Sequence, residues 1–149
     1  MVTTVGTEST LHDLLIDLVK LDFDAAAAYQ AAIDRLDNPS FKSALTEFRE
    51  DHLRHTRDLG ECLRDLGKTP PTEGDMKEVL AKGKVVIAGL VGDKAILTAM
   101  RTNEDDTVTA YDRATKFKGA PVAVIDVLER NRSDEHRHRD WIRSTLSTL

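Results

Sequence analysis

The sequence predicts an all-α protein, an antiparallel four-helix bundle with a long crossover between its second and third helices. Three observations carry this expectation. Apolar residues recur every three to four positions along four separate stretches, the period of a helix with one buried face. Asn38-Pro39 and Gly119-Ala120-Pro121 join these stretches in pairs through short turns, whereas more than twenty residues separate the second stretch from the third. Gly, Pro and aromatic residues are scarce and charged residues make up 32% of the chain, a balance that suits helices with one solvated face.

The first helix is predicted from about Ser9 to Leu36, with Leu11, Leu14, Leu15, Leu18, Val19, Tyr29, Ile33 and Leu36 on its apolar stripe. Asn38 is suited to an N-cap and Pro39 to the first position of a second helix. That helix carries Phe41, Leu45, Phe48, Leu59, Cys62, Leu63 and Leu66, and is ended by Gly67 and Pro70-Pro71. A connection follows over about residues 67–93. Met76–Lys82 fits a short helix. The run Lys84-Val85-Val86-Ile87-Ala88-Gly89-Leu90-Val91 fits a strand or a short helix; a lone strand has no partner here, so helix or packed coil is expected. Asp93 is expected to cap a third helix bearing Ile96, Leu97, Met100, Val108, Tyr111 and Ala114. The fourth is predicted over Val122–Leu146, with Ile125, Leu128, Trp141, Ile142 and Leu146 inward. A crossover of this length can return the chain along a bundle.

Composition excludes several functions. The net charge is −5 with both signs mixed and no basic stripe, which argues against nucleic acid as a partner. Met1–Thr10 is polar and lacks the regions of a signal peptide. No apolar run reaches the length of a membrane span. The single Cys62 forms no internal disulfide, which fits a reducing compartment. The expectation is a single domain over residues 1–149 in the cytoplasm.

The two halves of the chain echo each other. Asp22-Phe23-Asp24-Ala25-Ala26-Ala27-Ala28-Tyr29 is matched by Glu104-Asp105-Asp106-Thr107-Val108-Thr109-Ala110-Tyr111, and Pro39 by Pro121, each at an offset of 82. Arg49-Glu50-Asp51-His52-Leu53-Arg54-His55 is matched by Arg132-Ser133-Asp134-Glu135-His136-Arg137-His138, at an offset of 83. On steps of three and four, Asp22, His52, His55, Glu104, Glu135 and His138 all fall on the apolar stripes, near the middle of their helices. Burying carboxylates without compensation costs several kcal/mol per ion. Bound cations would compensate them. Glu135 and His138, at i and i+3, can reach one metal centre together, as can His52 and His55.

This layout resembles the ferritin-like superfamily, the di-iron carboxylate bundles that include rubrerythrins and bacterioferritins, and is nearest to small bacterial ferritin-like proteins with an apolar crossover. Their pattern is a Glu, a Glu-x-x-His, a Glu and a second Glu-x-x-His. Glu104 matches the third-helix acid, Glu135-x-x-His138 the fourth-helix motif, Asp22 the first-helix acid with a shorter side chain, and His55 the second-helix His. His52 stands where the pattern has a bridging Glu. The resemblance implies Asp22 and Glu104 as terminal carboxylates, His55 and His138 as terminal nitrogens, Glu135 as a bridge, His52 as an added nitrogen, and iron, two ions per site, as the cofactor. It also implies that Tyr29 and Tyr111 hydrogen-bond to ligands.

His52 leaves three carboxylates where the pattern has four, and an imidazole nitrogen does not bridge two metals as a carboxylate does. Three outcomes follow. The site holds two metals bridged by Glu135 and a solvent-derived oxygen; or it holds one ion, for which Zn or Mn suits the donors as well as Fe; or it is a hydrogen-bonded polar layer without metal. Asp51 and Asp134, about 100° round from the inward faces, either support ligands or pair with surface arginines, and the second is preferred. His12 and His136 are read as surface or flanking groups and Cys62 as a small buried hydrophobe. Ala25–Ala28 allows close packing within the core or between subunits. The implied function is metal binding, with Fe(II) oxidation by O2 or peroxide as its chemistry; no nucleotide or nucleophile motif suggests an organic substrate. The alternative is a non-catalytic, stress-associated helical bundle or dimerisation module whose polar layer is structural. A homodimer is expected in either case.

Overall fold

The computed structural model describes residues 3–74 and 86–149, and every regular element among them is helical. There are four long helices: α1 (Leu11–Arg35), α2 (Pro39–Asp65), α3 (Asp93–Ala114) and α4 (Val122–Leu146). The expected helix over Met76–Lys82 and the beginning of the apolar run, 83–85, lie outside the described residues. Residues 86–88 form one helical turn rather than strand.

The helix ends follow local chemistry. Thr10 caps α1 by accepting the Asp13 N–H at 3.3 Å. Asn38 caps α2 by accepting the Ser40 N–H at 2.8 Å, and Pro39 takes the first turn, where its missing N–H is not needed. Gly67, at φ 76°, closes α2: its N–H donates to the Arg64 carbonyl and that of Lys68 to the Leu63 carbonyl, both at 2.9 Å. Pro121 precedes α4.

Asp93 departs from expectation. Gly92 is the N-cap of α3 and offers no side-chain bond, while Asp93 is the first helical residue. Its carboxylate instead accepts the backbone N–H groups of Asp37 and Asn38, at 2.8 and 3.1 Å. These two donors lie in the turn between α1 and α2, so Asp93 fastens the start of α3 to that turn. Leu66, expected on the inward stripe, is exposed because α2 has already ended. Ile125, Trp141 and Leu146 are only half-buried, at the margins of the apolar clusters.

Helix α1 packs on α2 and α3, and α4 packs on α2 and α3. Two apolar clusters join them. One joins Leu15 and Leu18 of α1 to Leu59 and Leu63 of α2, Tyr111 of α3 and Leu128 of α4. The other joins Ala32 of α1 to Leu45 and Phe48 of α2, Leu97 and Met100 of α3, and Ile142 of α4. The first half of α1 thus meets the last halves of α2 and α3 and the first half of α4. Fully burying each large apolar side chain is worth about 1.5–3 kcal/mol, the reserve against which a polar layer between the clusters must be set. No helix of the described residues is long and apolar enough to cross a membrane.

Candidate metal centre

Between the two clusters lie Asp22 of α1, His52 and His55 of α2, Glu104 of α3, and Glu135 and His138 of α4, none more than 1% exposed. The six residues singled out on the sequence stripes therefore meet in one buried layer. Helical spacing is the local cause. Five of them fall three or four residues from apolar neighbours that face the core, and Glu135 falls seven, two turns, from both Leu128 and Ile142, so packing those neighbours carries the polar groups inward as well.

Their ligand atoms form two groups, each with all its atoms within 4.8 Å of one another. The first comprises Asp22, His52, His55 and Glu135; the second comprises His52, Glu104, Glu135 and His138. His52 and Glu135 belong to both. In the first group, Asp22 Oδ1 accepts from His52 Nδ1 at 2.7 Å and from His55 Nδ1 at 3.1 Å. Glu135 Oε1 lies 3.3 Å from each of the same two nitrogens. In the second group, His52 Nε2 stands 3.3 Å from Glu104 Oε1, and His138 Nδ1 is 3.7 Å from both Glu104 Oε1 and Glu135 Oε2.

The tyrosines cross between helices. Tyr29 of α1 donates to Glu104 of α3, and Tyr111 of α3 donates to Asp22 Oδ2 of α1 at 2.5 Å. Each thus holds the acid of the other helix. Thr107 donates to Glu104 Oε2 at 2.9 Å, and the Asn131 amide donates to the Tyr111 hydroxyl at 3.3 Å. Thr107 and Asn131 were not singled out from sequence as parts of the site. Their signal was positional: Thr107 follows Glu104 by three residues, and Asn131 precedes Glu135 by four on the inward stripe.

Asp51 and Asp134 correct the preferred expectation that they serve only surface arginines. His138 Nε2 donates to Asp51 at 2.8 Å, and His55 Nε2 donates to Asp134 at 3.0 Å. Each Asp also pairs with arginines: Asp51 with Arg54 and Arg137, and Asp134 with the same two. The arrangement is reciprocal, because an acid of α2 orients the imidazole of α4 and an acid of α4 orients that of α2. Both rings have their Nε2–H engaged on the outside, which leaves Nδ1 facing the layer, the arrangement that outer carboxylates impose on ligand histidines. The remaining two histidines are both half-buried, His12 beside Asp13 at 3.6 Å and His136 against Asp112 at 2.8 Å. Cys62 is buried within the first apolar cluster.

Three carboxylates thus face three imidazoles in a buried layer. Burial opposes the charged form of His52, but the Glu135 carboxylate and the bonds to Asp22 and Glu104 outweigh it and raise the ring to about 9. For His138 the carboxylates of Asp51, Glu104 and Glu135 overcome burial and raise it to about 11. His55 is likewise raised, against burial, by Asp22, Asp134 and Glu135. Burial would raise Asp22 and Glu104, yet His55 and His52 hold Asp22 below the usual carboxylate range, and His138 and His52 hold Glu104 well below it. Burial and the adjoining carboxylates push both tyrosines up, so their hydroxyls stay protonated donors.

The pairing is incomplete. Both carboxylate oxygens of Glu135 and Nδ1 of His138 are buried and, among the described residues, make ion pairs at 3.3–3.7 Å but no hydrogen bond. Buried polar atoms seldom lack partners, and a carboxylate lacking two is costly to desolvate. These atoms lie at the centre of the layer and at its Glu104 end. A divalent cation is a ligand that such a set can accept: carboxylates and imidazoles together suit Fe, Mn and Zn. The residues present therefore fit a metal.

Residues 10–117 match the family described as Domain of unknown function (DUF2383), and the chain belongs to that family. No curated protein and no solved structure matches the chain.

Proposed function

We propose that the chain is a single ferritin-like domain, an antiparallel four-helix bundle that binds two transition-metal ions in its buried polar layer, with iron as the ion and Fe(II) oxidation by O2 or peroxide as the chemistry. One observation carries the reading: Glu135 is wholly buried, belongs to both ligand groups, and meets His52, His55 and His138 only as ion pairs at 3.3–3.7 Å, with neither oxygen in a hydrogen bond among the described residues. A layer built only as an internal network would have spent those acceptors on neighbouring donors. The meeting of opposite helix halves in each apolar cluster supports the bundle.

In this reading Asp22 and His55 would hold one ion and Glu104 and His138 the other, with Glu135 and His52 available to both. When bound, iron supplies the one-electron chemistry that no side chain here provides. The protein supplies position and charge. Tyr29 and Tyr111 hold the two terminal acids, Asp51 and Asp134 hold the two terminal imidazoles, and the apolar clusters above and below exclude water.

Zn or Mn satisfies the same donors, so metal analysis after loading with Fe(II), Mn(II) or Zn(II) is the first test. A ligand present at 100 times its Kd stabilises the folded state by about 2.7 kcal/mol. At about 2–4 °C per kcal/mol for a chain of this size, the expected rise in Tm is roughly 5–10 °C. No bound metal and no rise with any of the three ions would sink the reading. Fe(II)-dependent oxygen consumption should fall sharply in Glu135→Ala, and an unchanged rate would remove the oxidation step from the proposal.

A second reading has its own support. The Asp22 end of the layer satisfies itself, because Asp22 Oδ1 accepts from two imidazoles and Oδ2 from Tyr111. A structural polar layer in a non-catalytic bundle is what remains if metal has no effect on Tm.

A further inference from the structure

The position of His52 carries more than an added nitrogen. Its ring lies between the two ligand groups and belongs to both. Nδ1 faces the first, 2.7 Å from Asp22 Oδ1 and 3.3 Å from Glu135 Oε1. Nε2 faces the second, 3.3 Å from Glu104 Oε1. The two nitrogens of an imidazole point away from each other, so they cannot serve one ion, but they can serve one ion each. The other two histidines of the layer lack this option. His55 and His138 each spend Nε2 on an outer aspartate and have only Nδ1 to offer. Among the described residues, no aspartate outside the layer takes a nitrogen of His52; its partners Asp22, Glu135 and Glu104 all belong to the two groups themselves.

We infer that His52 bridges the two metal ions, with Nδ1 bound to the ion of the Asp22–His55 side and Nε2 bound to the ion of the Glu104–His138 side. This rests on the metal-binding reading and deepens it. The ring loses its N–H protons to solvent and forms one metal–nitrogen bond at each nitrogen; nothing is oxidised or reduced. A ring bridge keeps the ions farther apart than the about 3.5–4 Å of a close two-metal pair. It also explains how a histidine can occupy a position shared by both groups: the bridging is done by the ring rather than by one nitrogen.

The test uses Zn(II), which is redox-inert and takes both nitrogen and carboxylate ligands. In crystals of the full chain saturated with Zn(II), anomalous scattering should show two ions, one against each ring nitrogen of His52 at about 2.0–2.1 Å. Two ions with His52 bound to only one of them, or a single ion, overturns the inference. In solution, His52→Gln should reduce Zn(II) binding from two ions per chain to one by isothermal titration, with circular dichroism confirming the helices. The amide keeps a polar contact to Asp22 but cannot reach both groups through opposed nitrogens. A variant that still binds two ions with unchanged affinity also overturns the inference. The crystal experiment on the wild-type chain stands whether or not the variant folds. If the wild-type chain binds no Zn(II), Fe(II) or Mn(II), the metal reading falls and takes this inference with it; if it binds two ions without a His52 bridge, this inference falls alone.

Discussion

The Asp22 end and the Glu104 end of the polar layer hold the same kinds of group, an acid, a histidine and a tyrosine, yet they differ in how completely they close. At the Asp22 end, one carboxylate draws in His52, His55 and Tyr111. At the Glu104 end, Tyr29 and Thr107 hold the acid, but His138 Nδ1 stays 3.7 Å from both carboxylates, an ion-pair distance with no hydrogen bond among the described residues. The shorter Asp22 is matched by two histidines on α2, whereas Glu104 shares His52 and faces one histidine on α4. The difference teaches that a buried charged layer can be balanced in total and still be unevenly satisfied. The surplus acceptors gather on Glu135, and that is where a cation is drawn.

The largest expected effect breaks both ends at once. Glu135→Ala removes the carboxylate shared by the two groups, and binding of both ions should be lost by metal analysis. Asp22→Ala and Glu104→Ala should each remove one ion and leave the other. If Glu135→Ala lost only one ion, or either terminal variant lost both, the division of the layer into two groups would be wrong. A smaller effect sharpens the comparison. Asp51→Asn loosens His138 and should weaken the ion of the Glu104 end by about 10–100-fold, while Asp134→Asn loosens His55 and should do the same at the Asp22 end, as is typical for carboxylates behind ligand histidines. Equal weakening of both ions by either variant would show that the outer aspartates act through the fold as a whole.

The smallest effect is one of slope. In the metal-free chain, His52 and His138 have folded-state values of about 9 and about 11, above the unfolded value of about 6.5. Groups raised on folding contribute stability that is complete below the unfolded value and is lost as pH rises through the folded one. The Tm of the metal-free chain should therefore decline from about pH 6.5 upward through about 9. Asp22 and Glu104 act in the opposite sense, contributing stability above the unfolded carboxylate range of about 4 that is lost on acidification. Metal must displace the ring protons, so the rise in Tm on adding Zn(II) should grow between about pH 6.5 and 8. A metal-free chain whose Tm rises over that interval would mean that the imidazoles are not charged partners of the carboxylates.

Much of this molecule was legible in its residues. The apolar stripes, Asn38-Pro39, Gly67 and Pro121 marked the helices to within a few residues, because caps and breakers act locally. The six inward ionisable groups were legible because a helix has one period, and a residue on an apolar stripe is carried inward with it. Asp93 was misread because its carboxylate serves N–H donors of Asp37 and Asn38, more than fifty residues away in the chain. Asp51 and Asp134 were underestimated for a related reason: their distance from the inward stripe is visible on one helix, but the imidazole that each reaches belongs to another.

By itself, the sequence determined that four helices form, where they start and stop, and which face of each is buried, since these depend on dihedral preferences, caps and the 3.6-residue period. Only the tertiary structure decided which polar groups meet. It set Tyr29 on Glu104 and Tyr111 on Asp22, it crossed Asp51 to His138 and Asp134 to His55, and it placed His52 between two ligand groups. Those pairings depend on helix packing, because residues of different helices become neighbours only once the apolar faces between them are buried.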